Sequence, residues 1–430
     1  MNLPSKLTIK WTLAIASLLL FGLFISPVFL ELEEFIGNDK ELEISNSTIQ
    51  GYKNGKKNWE VTADYLWTGT SSYLFRARDI QEGKLFDYDG TIILDNLKAS
   101  NAKINTRSKT IHANGQVSAS FYPRKNKKIS KGLIASQNTH LVGDDEKIKI
   151  KADNFKFFSI SNKTYLTDNV TIQKEKTLIF PKEGVWVDTK ENIAFIENGV
   201  TIDHNGFIVS ADAMTIYIDD NYSVIKNNIR GHRPATQSID ENLDDRENHL
   251  KKNDTYLSCD QMKYSQKDDT KIVELFGNVN IFQNDKSITG KKAFYNEDTG
   301  EFRVENNVEF KSTNLKWLLT SSKKAAVKGD KTKESIESET RITCKKLTFN
   351  SQTKELILFG DVTIVQPDKT IRCDHLKMDD AIGWIFLSGN ISIEKDAKDT
   401  LNCDFVSVDI ENEVFFASRN VSTEFFIDKD

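Results

Sequence analysis

The chain has little of what most enzymes are built on. Its 430 residues hold six histidines, His112, His140, His204, His232, His249 and His375, scattered without metal-ligand spacing. There is no P-loop, no GxSxG elbow and no dinucleotide fingerprint. No catalytic constellation, cofactor site or metal site emerges. Charge of neither sign dominates: 58 Lys and Arg against 63 Asp and Glu leave a net charge of −5. With no aromatic-basic cluster beside it, that balance argues against nucleic acid as a partner. Cysteine is scarce, at four. Sustained helical periodicity is missing beyond the N-terminus. The 38% apolar and 28% charged content excludes a disordered chain.

One long apolar run is present. Trp11 to Leu30, WTLAIASLLLFGLFISPVFL, matches the hydrocarbon thickness of a bilayer. Lys6 and Lys10 precede it, and Glu31, Glu33 and Glu34 follow. The positive-inside rule then predicts a cytoplasmic tail over 1–10, a transmembrane anchor over 11–30 and the rest outside. A cleaved signal peptide is the alternative, but the run is long for one and no A-x-A site closes it.

The rest of the chain repeats. Ile371 to Ile393, IRCDHLKMDDAIGWIFLSGNISI, shows the unit: an apolar-patterned segment, an Asp/Gly-rich reversal, then strict alternation through Ile385, Leu387, Ile391 and Ile393. With Gly389 holding the place between Leu387 and Ile391, it predicts a β-hairpin with one apolar face. A Val or Ile following Asn, Asp, Gly or Gln recurs at Val117, Val170, Val200, Ile229, Val279, Val308, Val362, Ile391 and Val421. Five of the eight intervals are 29 or 30 residues. A fixed period of this size marks stacked supersecondary units sharing one core.

The upstream half of the unit keeps register. Eighteen residues before most anchors stands a small residue, Ala99, Ala152, Ala211, Gly290, Cys344, Cys373 or Cys403; Cys259 is offset by 20. Apolar residues stand two before it, three after and five after. That change from even to odd spacing predicts a bulge or bend at the small residue. All four cysteines occupy this column. Equivalent positions two strands apart lie roughly 9 to 10 Å from each other, beyond disulfide reach, so the cysteines read as small buried hydrophobes. Asp follows the small residue at Asp64, Asp153, Asp212, Asp260, Asp374 and Asp404. A calcium ladder is one reading; lacking a Gly-rich nonapeptide, a solvated Asp at a bend is the other.

The blocks run 41–122, 149–231, 257–320 and 341–430. Between them lie an insert at 123–147 with a basic run Arg124 to Lys131, a polar loop at 232–256 and a Lys/Ser/Glu insert at 321–340. The basic run fits either phosphates on a lipid head group or a solvated loop.

At Ile49, Gly51, Tyr52, Gly55-Lys56 and Trp59 the first block resembles the periplasmic lipopolysaccharide-transport component LptC. The later strands, Gly277-Asn278-Val279, Gly360-Asp361-Val362 and Gly389-Asn390-Ile391, resemble LptA and the OstA-like domain. The resemblance covers roughly residues 41 to 427 and departs from LptC in carrying several such domains in tandem. It implies an all-β fold, an elongated, repeat-built jelly roll opening as a V after one transmembrane helix.

Middling Val and Ile at the anchors, with Gly, Asn or Asp two before them, predict interior room suited to acyl chains. The groove candidates are Val117, Val170, Ile202, Val279, Ile281, Val308, Val362, Ile364, Ile391 and Ile393. The weakly charged last strand predicts a partner edge at Phe415, Val421 and Phe425. The resemblance implies the partners: lipopolysaccharide, an inner-membrane ABC transporter complex, and another OstA-like bridge protein or an outer-membrane receptor joined by strand addition. It implies a single-pass inner-membrane protein, mostly periplasmic, that conducts lipid and is not an enzyme. An enzyme or carbohydrate binder on a β-solenoid, or a self-associating structural protein, are the rival readings.

Overall fold

The computed structural model describes residues 42–123, 147–236, 250–267, 270–319, 330–396 and 398–425. The tail and apolar run over 1–30, the basic run Arg124 to Lys131 and most of the 232–256 loop lie outside them. Among the described residues no helix is long and apolar enough to cross a membrane.

Alternating apolar patterns become strands almost everywhere. Six long strands come first: β1 (Leu42–Lys53), β2 (Lys56–Thr68), β3 (Leu74–Phe86), β4 (Ile92–Asn105), β5 (Thr110–Phe121) and β6 (Ile148–Phe158). Eight short ones follow: β7 (Lys163–Thr167), β8 (Thr171–Lys174), β9 (Thr177–Pro181), β10 (Gly184–Asp188), β11 (Ile193–Ile196), β12 (Val200–His204), β13 (Phe207–Ala211) and β14 (Ala213–Tyr217). Ten long strands come next: β15 (Tyr222–Arg233), β16 (Thr255–Lys267), β17 (Thr270–Gln283), β18 (Lys286–Asn296), β19 (Glu301–Ser312), β20 (Thr340–Asn350), β21 (Glu355–Val365), β22 (Lys369–Asp379), β23 (Trp384–Lys395) and β24 (Asp399–Asp409). The short β25 (Val414–Ser418) and β26 (Ser422–Glu424) close the chain. All 26 strands form one sheet.

Every pairing is antiparallel, and long strands pair with their sequence neighbours. The short strands are half-rungs: β7 and β8 both lie on β6, and β13 and β14 both lie on β15. Each such rung is broken where a long strand bends. From β15 to β24 every ladder skips register once, as between Phe276 and Val279 or between Ser388 and Ile391. The skips line up into a corner, and the sheet folds along it into two arms.

The two residues before each anchor make the corner. Gly277 and Asn278 have φ of 71° and 44°, Gly360 and Asp361 77° and 50°, Asn306 and Asn307 65° and 59°, and Gly389 and Asn390 75° and 45°. Left-handed backbone costs most residues about 1–2 kcal/mol, and Gly, Asn and Asp least. The sequence reading placed the bend at the small residue. The dihedrals place it one strand away, on the Gly-Asn pair facing that residue. Nor does the glycine leave interior room: a Cβ on Gly389 would lie 2.3 Å from Asp374 Oδ2, on the outside of the corner.

The first hairpin is met as read. Lys53 faces Lys56 across Asn54-Gly55, whose φ values of 53° and 76° make a tight hairpin. Gly51 faces Trp59, and a Cβ there would sit 2.0 Å from the indole. The 321–340 insert holds a helix, α1 (Asp330–Glu337), absent from the sequence reading, and a 3-10 turn at Lys316–Leu318 precedes it.

Turns alternate between two long rims. The first rim carries the β8–β9, β12–β13 and β17–β18 turns; the second carries β14–β15, β16–β17 and β18–β19. All three long insertions leave from the first rim, between Phe121 and Ile148, Arg233 and Thr255, and Ser312 and Thr340. The β1–β2 turn lies on this rim too, through the register Trp59, Leu85, Leu94, Phe121.

In the first half the rims are tied together. Lys53 Nζ donates to Ser159 O at 2.9 Å and Asn162 Oδ1 at 3.0 Å, and Asn192 Nδ2 donates to Tyr122 O at 3.2 Å. The space between the arms is filled: the largest fully buried side chains, Phe121, Phe155 and Phe157 among them, all fall between Leu85 and Ile229. In the second half the inner apolar residues Ile364, Ile371, Ile385, Ile393 and Val408 pack on the core yet stay half-buried. The sheet is thus a closed, packed roll that opens into a V.

Candidate binding groove

The repeat columns become rows of side chains between the arms. The corner row alternates anchor and small residue: Val308, Cys344, Val362, Cys373, Ile391, Cys403. On the first arm the next inward row is Leu257, Ile281, Ile288, Phe310, Ile342, Ile364, Ile371, Ile393, Leu401. Beyond it comes a polar row with Thr255, Gln283, Lys286, Ser312 and Thr340. The second arm has two apolar rows. Met262, Leu275, Ala293, Val304, Leu347, Leu358, Leu376, Leu387 and Val406 form the deeper one; Tyr264, Val273, Tyr295, Phe302, Phe349, Leu356, Met378, Ile385, Val408 and Phe415 form the outer.

Where the closed roll passes into the V, the rows enclose a cavity of about 710 Å³ between Ile148 and Leu356. That volume falls among ordinary ligand sites of ~300–1,000 Å³. Its walls are aliphatic and aromatic; polar groups gather only at its margins. On the first rim Arg233 Nη2 donates to Leu250 O at 2.9 Å and Thr255 Oγ1 at 3.0 Å, and Gln283 Nε2 joins the same two acceptors at 2.8 Å. Burial lowers the Arg233 pKa. Lys286 pairs with Asp285 Oδ1 at 2.5 Å and lies 5.5 Å over the Trp317 ring. Trp317 and Leu318 roof this margin, held by Leu315 N donating to Ile336 O on α1 at 2.7 Å and Ser335 bonded to Gln366 at 3.1 Å. At the opposite margin desolvation pushes the Tyr264 hydroxyl up to about 12, helped by Glu175, Glu297 and Asp298.

The predicted groove residues divide. Ile202 and Ile281 line the cavity. Ile364 and Ile393 stand on the inner first-arm row of the open half. Val279, Val308, Val362 and Ile391 are buried in the corner row, at the floor of the V. Val117 and Val170 are buried in the closed half, surrounded by its own side chains. The aromatic wall of Tyr264, Tyr295, Phe302 and Phe349 was not among the candidates. Its signal was visible five residues after the small column, where Tyr264, Tyr295 and Phe349 stand. At the C-terminal edge Phe415 ends the outer second-arm row, and Phe415, Val421 and Phe425 are 47%, 49% and 71% exposed.

The Asp ladder finds a partner that neither sequence reading named. At five of the six positions the corner Asn of the next strand donates to the Asp: Asn278 to Asp260 at 3.0 Å, Asn390 to Asp374 at 2.9 Å, Asn228 to Asp212 and Asn420 to Asp404 at 2.6 Å, Asn169 to Asp153 at 2.5 Å; Asp64 accepts from Gln81 Nε2 at 3.0 Å. In one unit the roles swap to an ion pair, Lys345 with Asp361 at 2.8 Å. Among the described residues no cluster of three His, Cys, Asp or Glu could hold a metal.

The four cysteines are free and buried. Desolvation pushes Cys259 and Cys373 up to about 12 and Cys344 to about 11, and raises Cys403. Unfolded thiols titrate near 8.5. The folded state therefore keeps protons that the unfolded chain has lost, and stability falls as pH climbs from about 9 through 11 to 12. Alkaline titration followed by circular dichroism should show that decline, and replacing all four cysteines by alanine should flatten it. An unchanged alkaline limb in that variant would count against buried thiols.

Residues 231–374, about a third of the chain, match the family model for OstA-like protein. No curated protein sequence matches the chain. Among solved structures, it is similar to LptH, the LptA homologous periplasmic component of the conserved lipopolysaccharide transport device from Pseudomonas aeruginosa, at 8% identity over 40% of this chain and 95% of that one. The TM-score is 0.21, too low for that likeness to bear on the fold. The fold and groove stand on the strand register above, and the stretch that matches the OstA-like model, residues 231–374, carries many of the residues that line the cavity.

Proposed function

We propose that the chain is a periplasmic lipid conduit, anchored in the inner membrane by residues 11–30, that takes the acyl chains of lipopolysaccharide into the V and passes them from an ABC transporter toward the outer membrane. One observation carries the reading: along the open half the inner apolar residues Ile364, Ile371, Ile385, Ile393 and Val408 pack on the core from both arms yet stay only partly buried. A folded chain leaves such a continuous apolar surface open only where something else covers it. The likeness of the Gly-Asn-Val strands to the OstA-like domain favours lipopolysaccharide as that occupant, and the LptC-like first block favours an inner-membrane end. The reading asks no covalent chemistry of the chain; energy comes from the transporter.

A photo-crosslinking residue at Ile364 should capture lipopolysaccharide in cells, whereas one at Thr363, on the opposite face of the same strand, should not. Equal capture at both positions would reject an inward-facing groove.

A further inference from the structure

Across the cavity mouth the rims meet at one polar cluster. Lys174 and Glu175 occupy the β8–β9 turn on the first rim. Asn221, Gln266 and Lys271 belong to the second rim, at the β14–β15 turn and the β16–β17 hairpin. Lys174 Nζ donates to Asn221 Oδ1, Gln266 Nε2 donates to Glu175 Oε1 at 3.4 Å, and Lys271 Nζ lies 3.7 Å from Glu175 Oε2. All five residues border the cavity.

These contacts differ from the other ties between the rims. Lys53 and Asn192 close over packed side chains. The Glu175 cluster closes over the apolar cavity, and its Lys271 and Glu175 side chains keep about a third of their exposure, 27% and 32%. Ion pairs and hydrogen bonds so exposed are individually weak, on the order of 1 kcal/mol or less. An apolar chain arriving from the N-terminal end finds no path, because that half is filled by Phe121, Phe155, Phe157 and their neighbours. The cavity is reached along the open V or through the mouth itself.

We infer that Lys174, Glu175, Asn221, Gln266 and Lys271 form a latch that opens to admit lipid sideways into the cavity, making the closed half a stalk rather than a tunnel. The inference rests on the lipid-conduit reading and adds where the lipid enters. The weakness of each contact is what lets the latch open, and the apolar chain then replaces water in the cavity beneath it.

The test separates the two claims. In full-length protein carrying Glu175→Cys and Gln266→Cys, a bis-maleimide ties the rims; the four native cysteines are buried. A photo-crosslinking residue replaces either Phe207, which lines the cavity, or Ile364 in the open V. The probe is radiolabelled lipopolysaccharide. Unlinked protein should label at both positions. Linking should cut labelling at Phe207 about tenfold and leave Ile364 unchanged, as expected of a gate on one compartment. Glu175→Ala, which frees Lys271 and Gln266, should speed labelling at Phe207. Undiminished Phe207 labelling in the linked protein would overturn the latch while the conduit stands. No labelling at Ile364 even before linking would overturn the conduit, and the latch with it.

Discussion

Gly389→Val should cost on the order of 2 to 4 kcal/mol in the last repeats, a large effect for one surface-side residue. Two penalties combine. A β-branched residue at φ 75° is strained, and its Cβ would lie 2.3 Å from Asp374 Oδ2. Asn390→Gly keeps the dihedral and loses one hydrogen bond to Asp374, so about 1 kcal/mol is expected. A stacked array does not unfold as one unit, so hydrogen exchange on β22 to β24 is the measurement. Equal protection in the two variants would show that the left-handed pair is not what holds the corner.

The other large effect concerns the C-terminal edge. Removing residues 414–430 should reduce lipid transfer to background while capture at Ile364 persists. Among the described residues β25 and β26 pair only with β24, and Phe415, Phe416 and, just past β26, Phe425 are exposed. An apolar edge of this kind seeks another strand. Transfer at the normal rate by the truncated chain would mean that lipid leaves elsewhere.

Much of this architecture was legible because the strand period and the repeat period coincide with contacts. The hairpin at Ile371 to Ile393 pairs as read, Ile371 against Ile393. The bend is legible too, but the spacing points to Cys373, whereas the left-handed pair is Gly360-Asp361 on the strand opposite. One column of small residues looks the same whether it bends or merely faces a bend; only dihedrals distinguish them. The packing of Val117 and Val170 in a filled roll was not legible. They share a column with Val362 and Ile391, and the difference lies in what the opposite arm brings, Phe155 and Phe157. Nor was α1, because a helix in a charged insert gains its stability from Ile336 meeting the groove roof.

Insertions and repeats act on this molecule in perpendicular directions. Every added hairpin lengthens the stack by two strand spacings, roughly 10 Å. The three long insertions begin and end on one rim, and the strands on either side of each stay paired with each other. The distance the protein can bridge is therefore counted in strands and not in residues. A chain of this kind could gain a third of its mass in loops and span the same gap, while losing one hairpin would leave it a fixed step short.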